Sequence, residues 1–223
     1  MGKVLEKLRA KADPSRLEGM AKFGMNTKNR LGVSMPDIRR VAKETGRDHT
    51  LALELWKTGI AEARIAASLI ADPEKLTIRE MESWVGDFDS WDVCDQVCMN
   101  LFRKSPLSAR KIMEWSRREE EFVKRAAFAL IACLAHYAEG ARDEEFLEYL
   151  PIIERCADDG RNFVKKAVNW ALRGIGKRNA ALNAAAIRTA EAMRTSGSRS
   201  ARWIAADALR ELQSDGIQKR FTA

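Results

Sequence analysis

The chain has 223 residues, of which 46% are hydrophobic and 32% are charged, the balance of a globular protein and not of a disordered one. No apolar run approaches the roughly 20 residues that span a bilayer, and the first residues lack the apolar segment of a secretory signal, so we expect neither feature. The net charge of +7 favours a polyanionic partner, with nucleic acid as the first candidate. Cysteines 94, 98, 133 and 156 lie in helix-like segments, which favours a reducing cytosol over a disulfide framework.

Apolar residues recur at intervals of three and four, which is the helical period, and strand-like alternation is almost absent. Breakers such as Asp13-Pro14, Asp72-Pro73 and Ser105-Pro106 divide the chain into short segments. The predicted helices, in chain order, span about residues 3–11, 14–24, 35–45, 48–57, 60–71, 77–86, 90–103, 106–118, 120–138, 143–157, 161–178, 181–195 and 199–214.

The sequence contains two similar segments, which suggest an internal repeat. Phe122-Val123-Lys124-Arg125-Ala126-Ala127 is similar to Phe163-Val164-Lys165-Lys166-Ala167-Val168, which follows it by 41 residues. That period is typical of a two-helix repeat of the HEAT type, and such repeats stack because none buries its apolar face alone. We therefore expect an all-α fold, a HEAT-like helical-repeat solenoid with a concave basic groove, forming one domain over residues 1–223. An irregular helical bundle is the alternative.

If residues 161–178 form an α-helix, with about 100° of rotation per residue, an apolar stripe and a basic face lie on opposite sides of it. The buried stripe comprises Val164, Val168, Ala171, Leu172 and Ile175. The opposite face carries one aromatic ring among three cations: Lys166, Trp170, Arg173 and Lys177. Because a tryptophan there has no packing role, this face predicts binding.

Arg125 points away from the apolar stripe of the segment 120–138. Its neighbours on that face, Ala129 and Ala132, are small, so we expect an accessible guanidinium that could bind a phosphate through two hydrogen bonds. The alternative is a solvated arginine on an ordinary outer face.

The segment 90–103 supplies an acidic residue. Trp91 and Asp95 are four residues apart and therefore project together, with Met99 and Phe102 beside the carboxylate. A partly desolvated carboxylate is costly unless it has a function or a partner. The alternative is a structural ion pair with a nearby arginine.

On an inner layer of helices, Trp91, Asp95, Arg125 and Trp170 would meet in one groove. That groove would offer cations to DNA phosphates, and aromatic rings to sugars or bases. The remaining motifs predict structure: Cys94 and Cys98 read as buried thiols and not as metal ligands, and three tryptophans are expected to join helices in the core, namely Trp56, Trp84 and Trp115. For Trp203, on the arginine-rich last helix, the same core role stays open.

These residues resemble the AlkD-like DNA glycosylases of the DNA alkylation repair family over about residues 5–180. Ser90-Trp91-Asp92-Val93-Cys94-Asp95 is similar to the segment that carries the family's tryptophan and catalytic aspartate. The segment 122–127 is similar to the one with its active-site arginine, on Arg125, and 163–173 to the one with its second tryptophan, on Trp170. Two further landmarks lie near the N-terminus, Met20-Ala21-Lys22-Phe23 and Leu31-Gly32-Val33-Ser34-Met35-Pro36-Asp37-Ile38-Arg39.

The resemblance implies an enzyme that excises positively charged alkylated purines, such as 3-methyladenine and 7-methylguanine, from duplex DNA. It implies that Asp95 stabilises the oxocarbenium-like sugar and positions water. Trp91 and Trp170 would hold the deoxyribose, and Arg125 the adjacent phosphate. Neither metal nor organic cofactor is implied, and we expect a monomer in the cytoplasm that joins the nucleoid when bound to DNA.

Further DNA contacts are expected from four residues outside the reacting centre: Phe23, Lys166, Arg173 and Lys177. Phe23 takes the place of a tyrosine that some family members press against DNA, so a ring remains but a hydroxyl is lost. The alternative function is a non-catalytic HEAT-repeat scaffold that binds DNA or protein. The presence of Asp95 favours the enzyme.

Overall fold

The computed structural model describes residues 1–222, and within that range it contains helices and no strand. The helices are α1 (Gly2–Arg9), α2 (Leu17–Lys22), α3 (Met35–Thr45), α4 (His49–Trp56), α5 (Ala61–Ile70), α6 (Ile78–Gly86), α7 (Trp91–Asn100), α8 (Ser108–Trp115), α9 (Glu121–Tyr137), α10 (Asp143–Arg155), α11 (Asn162–Gly176), α12 (Ala180–Arg194), α13 (Arg199–Leu212) and α14 (Asp215–Thr222). Short 3₁₀ turns occupy Pro14–Arg16 and Phe102–Lys104. None of the described helices combines the length and the apolar character needed to cross a bilayer.

Polar side chains fix several of the helix starts that the sequence predicts. Ser34, Asp48, Asn179 and Ser198 each accept a hydrogen bond from a backbone N–H of the first turn. Thr77 forms a reciprocal capping box with Glu80 at the start of α6. These caps satisfy orphan N–H groups, so the helices begin within a residue or two of the predicted positions.

The helix prediction departs from the structure most clearly at three places. The span 14–24 is a 3₁₀ turn followed by the short α2, and the span 90–103 ends as an α-helix at Asn100 before turning into 3₁₀ geometry. Helix α14 was not predicted, because Ser214-Asp215-Gly216 reads as a break and few apolar residues follow it.

The chain divides into two compact units, Met1–Ser108 and a second from Ala109 onward. In the first unit, α5 packs against α3, α4 and α7. Its aromatic core includes Trp56 and Trp84, whose rings stack 4.0 Å apart, with Phe88 and Phe102 around them. Both tryptophans are buried, as predicted.

In the second unit, α11 lies between α9 and α13, while α10 and α12 pack against each other and against α11. The two similar sequence segments lie at equivalent positions, at the starts of α9 and α11. Their phenylalanines, Phe122 and Phe163, stack with ring centroids 5.5 Å apart. Small residues allow close packing here: a Cβ added at Gly174 would lie 3.4 Å from that of Ala135. Trp115 is fully buried, which confirms its predicted core position.

The loop that precedes α3 is held by a buried carboxylate from α5. Glu62 is 1% exposed, and its two carboxylate oxygens accept hydrogen bonds from three successive backbone N–H groups, those of Leu31, Gly32 and Val33. A buried carboxylate is costly unless such donors surround it. The loop is therefore tied directly to the interior of the first unit.

Gly32 is required by this loop. Its φ of +77° lies in the left-handed region, and an added Cβ would come 2.1 Å from the carbonyl oxygen of Asp13. Asp13 N–H in turn donates to the carbonyl of Leu31, which keeps the two backbones close.

We expect Gly32→Ala to destabilise the protein by more than about 3 kcal/mol, since it combines positive-φ strain with a backbone clash. Gly59→Ala is the matched control, because Gly59 has a φ of +68° but its added Cβ meets only the Asn29 amide at 3.7 Å. The control should lose about 1 kcal/mol. Urea denaturation of both variants tests this, and equal losses would contradict the role assigned to Gly32.

Candidate functional site

Trp91 begins α7 and anchors the end of α2. Its indole Nε1–H donates to the backbone carbonyl of Phe23 at 3.1 Å, while the Phe23 ring is 76% exposed. The predicted tryptophan and the predicted DNA-contacting ring are thus neighbours in the first unit. The exposed phenyl ring is accessible to a ligand from solvent.

The adjacent loop is locked to the start of α7 by a buried ion pair. The Arg30 guanidinium donates to both carboxylate oxygens of Asp92, at 2.8 and 2.9 Å, and also to the carbonyl of Asn26. Their side chains are 3% and 13% exposed. Ser90 Oγ donates to Asp92 at 2.5 Å and accepts from the Asn26 N–H. Because Asp92 lies in the first turn of α7 and Ser90 directly before it, these links fix the loop relative to Trp91.

Asp95 lies one helical turn after Trp91 and is half-buried. Trp91 and Met99, one helical turn before and after Asp95, are also half-buried. Cys94 and Cys98 lie on the buried side of the same helix. A half-buried carboxylate in this position can stabilise positive charge at the surface of the helix.

Phe102 is not the neighbour of Asp95 that the sequence predicts. Helix α7 ends at Asn100, so the helical spacing does not extend to residue 102. The ring is fully buried instead, 6.2 Å from Phe88 and 6.4 Å from Trp84.

Arg125 is buried, with only 6% of its surface exposed, so the expectation of an accessible guanidinium is wrong. Its Nη1 donates to the carbonyl of Phe163 at 2.6 Å. The small residues on its face allow α9 and α11 to pack closely, and this covers the side chain. Arg125 is therefore held in a single position between two helices.

Trp170 lies on α11 with the cations that the sequence assigned to the same face. It is half-buried, and Lys166, one turn before it, is exposed. Arg173 and Lys177 are instead paired with Glu211 of α13, at 2.5 and 2.8 Å. Asp207, one turn before Glu211, accepts a hydrogen bond from Asn169 and lies 3.6 Å from Arg173.

These pairs change the charge state that Glu211 prefers. Burial raises the pKa of Glu211, but hydrogen bonds and charges from Lys177 and Arg173 outweigh that effect, so its pKa lies below the ordinary value. Glu211 is thus charged at neutral pH and offsets part of the positive potential that the sequence assigned to α11.

Sequence reasoning missed Arg30, Glu62, Asp207 and Glu211. Asp207 and Glu211 carried a signal, since their four-residue spacing places two carboxylates on one side of α13. Arg30 and Glu62 carried none, because their partners lie 62 and about 30 residues away along the chain.

The predicted site residues are divided between the units. Phe23, Trp91 and Asp95 belong to the first unit, and the remaining ones belong to the second: Arg125, Lys166, Trp170, Arg173 and Lys177. Their meeting in one groove stays a prediction. Within residues 1–222, no cluster of three or more His, Cys, Asp or Glu side chains has the arrangement of a metal site.

The helical architecture matches a known fold. A solved structure described as "a new family of proteins related to the HEAT-like repeat DNA glycosylases with affinity for branched DNA structures" superposes with a TM-score of 0.76. It is 19% identical, and the alignment covers 85% of this chain and 81% of that one. At this identity the likeness shows the fold, which is HEAT-like as the sequence predicts. None of the curated proteins matches the chain.

A family model described as "DNA alkylation repair enzyme" matches residues 4–212. The chain belongs to this family. The match continues past residue 180, where the resemblance seen in the sequence ended, and so includes α12 and α13.

The first prediction from this site concerns the ion pair under the Phe23 loop. Asp92→Asn removes the charge opposite a buried guanidinium, so we expect about 3 kcal/mol of lost stability and faster hydrogen exchange over residues 24–33. Asp89→Asn is the control, because Asp89 is exposed and accepts from the side chain of Asn26. Hydrogen-exchange mass spectrometry measures the effect, and protection equal to that of the control would disprove the locking role.

The second prediction concerns pH. A depressed pKa means that the stability contributed by Glu211 is present above its unfolded value, near 4.5, and is lost as pH falls through the lower folded value. We expect Glu211→Gln to cost about 1 kcal/mol at pH 7, and the deficit to shrink steadily below about pH 4.5. Urea titrations over this range test it, with the exposed Glu191→Gln on α12 as control. A deficit that does not change with pH would count against the ion pairs as its cause.

Proposed function

We propose that this protein is a DNA glycosylase that removes positively charged alkylated purines from duplex DNA by hydrolysing the N-glycosidic bond. Membership of the DNA alkylation repair enzyme family supports action on alkylated DNA. The net charge of +7 suits a polyanionic substrate. Substrates of the 3-methyladenine and 7-methylguanine type are those that the resemblance implies.

The observation that carries the proposal is the placement of Asp95 beside Trp91. Asp95 is half-buried one turn beyond a tryptophan that is itself hydrogen-bonded to the backbone of Phe23. A half-buried carboxylate on a helix stabilises positive charge that develops beside it.

The chemistry needs one carboxylate. An alkylated purine that carries a positive charge leaves as a neutral base, so the leaving group requires no general acid, unlike the usual glycoside. As the C1′–N bond breaks, positive charge builds on the deoxyribose. Asp95 stabilises this oxocarbenium-like sugar and orients the water that attacks C1′, while the electron-rich face of Trp91 also favours the growing charge.

The second unit contributes DNA-binding residues to this proposal. The buried Arg125 supports α11 through its hydrogen bond to the Phe163 carbonyl, and Trp170 of that helix contacts a deoxyribose. Lys166 is exposed and adds a phosphate contact. Arg173 and Lys177 reach phosphates only by exchanging their Glu211 partner for DNA. We further propose a cytoplasmic monomer that uses no metal or organic cofactor.

A second candidate is a DNA-binding protein without glycosylase activity. The solved structure with the similar fold is described as having affinity for branched DNA, and its fold is shared by this chain. The two candidates differ in the need for Asp95: a binding protein does not require a carboxylate at the reacting sugar.

The test is base release from N-methylated duplex DNA. Asp95→Asn should reduce the rate by at least about a hundredfold while duplex affinity stays within about twofold, because the carboxylate acts mainly on the transition state. Asp89→Asn is the matched control, because Asp89 is an exposed carboxylate just before α7, and this variant should keep wild-type activity. Binding without release by the wild type, on duplexes carrying either adduct, would favour the non-catalytic candidate.

A further inference from the structure

Trp203 is an exposed aromatic residue that the proposed reaction does not use. It lies in the first part of α13, 41% of its surface is exposed, and the Lys165 ammonium sits 4.7 Å from the centre of its ring. A cation at this distance from an indole is attracted to the ring face. The two side chains thus form a composite surface, cationic and aromatic, at the amino-terminal ends of α11 and α13.

An open pocket of about 430 Å³ lies at this surface. Its walls are formed by Gly160, Lys165, Arg199, Ser200 and Trp203. Gly160 contributes no side chain, and Ser200 is held in place by donating to the carbonyl of Asp159. The pocket is therefore bounded by two cations and one large ring on a fixed backbone.

The charges of this pocket differ from those further along the same helices. Within residues 1–222, neither Lys165 nor Arg199 forms an ion pair with a carboxylate. By contrast, Arg173 and Lys177 are paired with Glu211, and Arg210 is paired with Asp207. The charges of Lys165 and Arg199 are thus available to an external anion at the pocket.

We propose that this pocket binds an unpaired nucleotide of DNA, with its base stacked on Trp203 and its phosphate held by Lys165 and Arg199. The proposal rests on the proposed function only in taking DNA as the ligand. A base stacks on an exposed ring when its own face is open, which an unpaired nucleotide offers and a paired base inside a duplex does not. An aromatic ring beside two unpaired cations matches the aromatic and anionic parts of one nucleotide.

Two probes separate this pocket from general DNA binding: a labelled blunt duplex, and the same duplex with a short single-stranded thymidine overhang. Wild-type protein should bind the overhang probe about tenfold more tightly. Trp203→Ala should remove that preference and leave affinity for the blunt duplex within about twofold. Trp203→Phe, which keeps a ring, should retain most of the preference, and Lys165→Ala should lower the salt slope for the overhang probe by about one.

Leu147→Ala is the matched control, since Leu147 is an exposed apolar residue of α10 with 43% of its surface exposed. Fluorescence anisotropy supplies the affinities, and thermal denaturation verifies that each variant is folded. Equal affinity of the wild type for the two probes, or equal weakening of both by Trp203→Ala, overturns the proposal. Base release from methylated blunt duplex is measured separately. If the wild type releases no base, the glycosylase proposal fails, but a preference for the overhang probe still supports the pocket.

Discussion

The Glu62 carboxylate is almost completely removed from water, and the backbone N–H groups of residues 31–33 compensate for that burial. This requirement draws the loop before α3 onto α5 and makes glycine necessary at position 32. Arg30, on the same loop, then meets Asp92 at the start of α7. The neighbouring Trp91 indole holds the carbonyl of Phe23. A single desolvated acid thus initiates the chain of contacts that ends at the proposed catalytic helix.

The second unit uses carboxylates in a different way. Asp207 and Glu211 lie on α13 and pair with Arg173 and Lys177 of the α11 basic face, which offsets part of its positive charge. Within residues 1–222, Lys165 and Arg199, at the amino-terminal ends of α11 and α13, form no ion pair with a carboxylate. A family match that extends through residue 212 fits this arrangement, since α13 determines which cations on α11 are available to a ligand.

Local sequence signals accounted for most of the helices, because caps and the period of apolar residues act within a single turn. Met35–Thr45 has the predicted bounds, and Asn162–Gly176 differs by one or two residues at each end. The apolar stripe of α11 is buried as predicted. The end of α7 could not be predicted from such local signals. Because the helix ends at Asn100, Phe102 does not lie beside Asp95 and packs in the aromatic core. Arg125 was placed on the expected helix but not in the expected environment, because its exposure depends on how closely α11 approaches.

The amino-acid sequence by itself determined an all-helical repeat protein, the family resemblance, and the positions of Trp91, Asp95 and Trp170 on their helices. Those features follow from contacts between residues a few positions apart. Only the tertiary structure decided which charges are neutralised, that Arg125 is buried, and that Trp203 pairs with Lys165. Each of these depends on side chains about 34 to 38 residues apart that packing brings within a few ångströms, and helical periodicity carries no information over that separation.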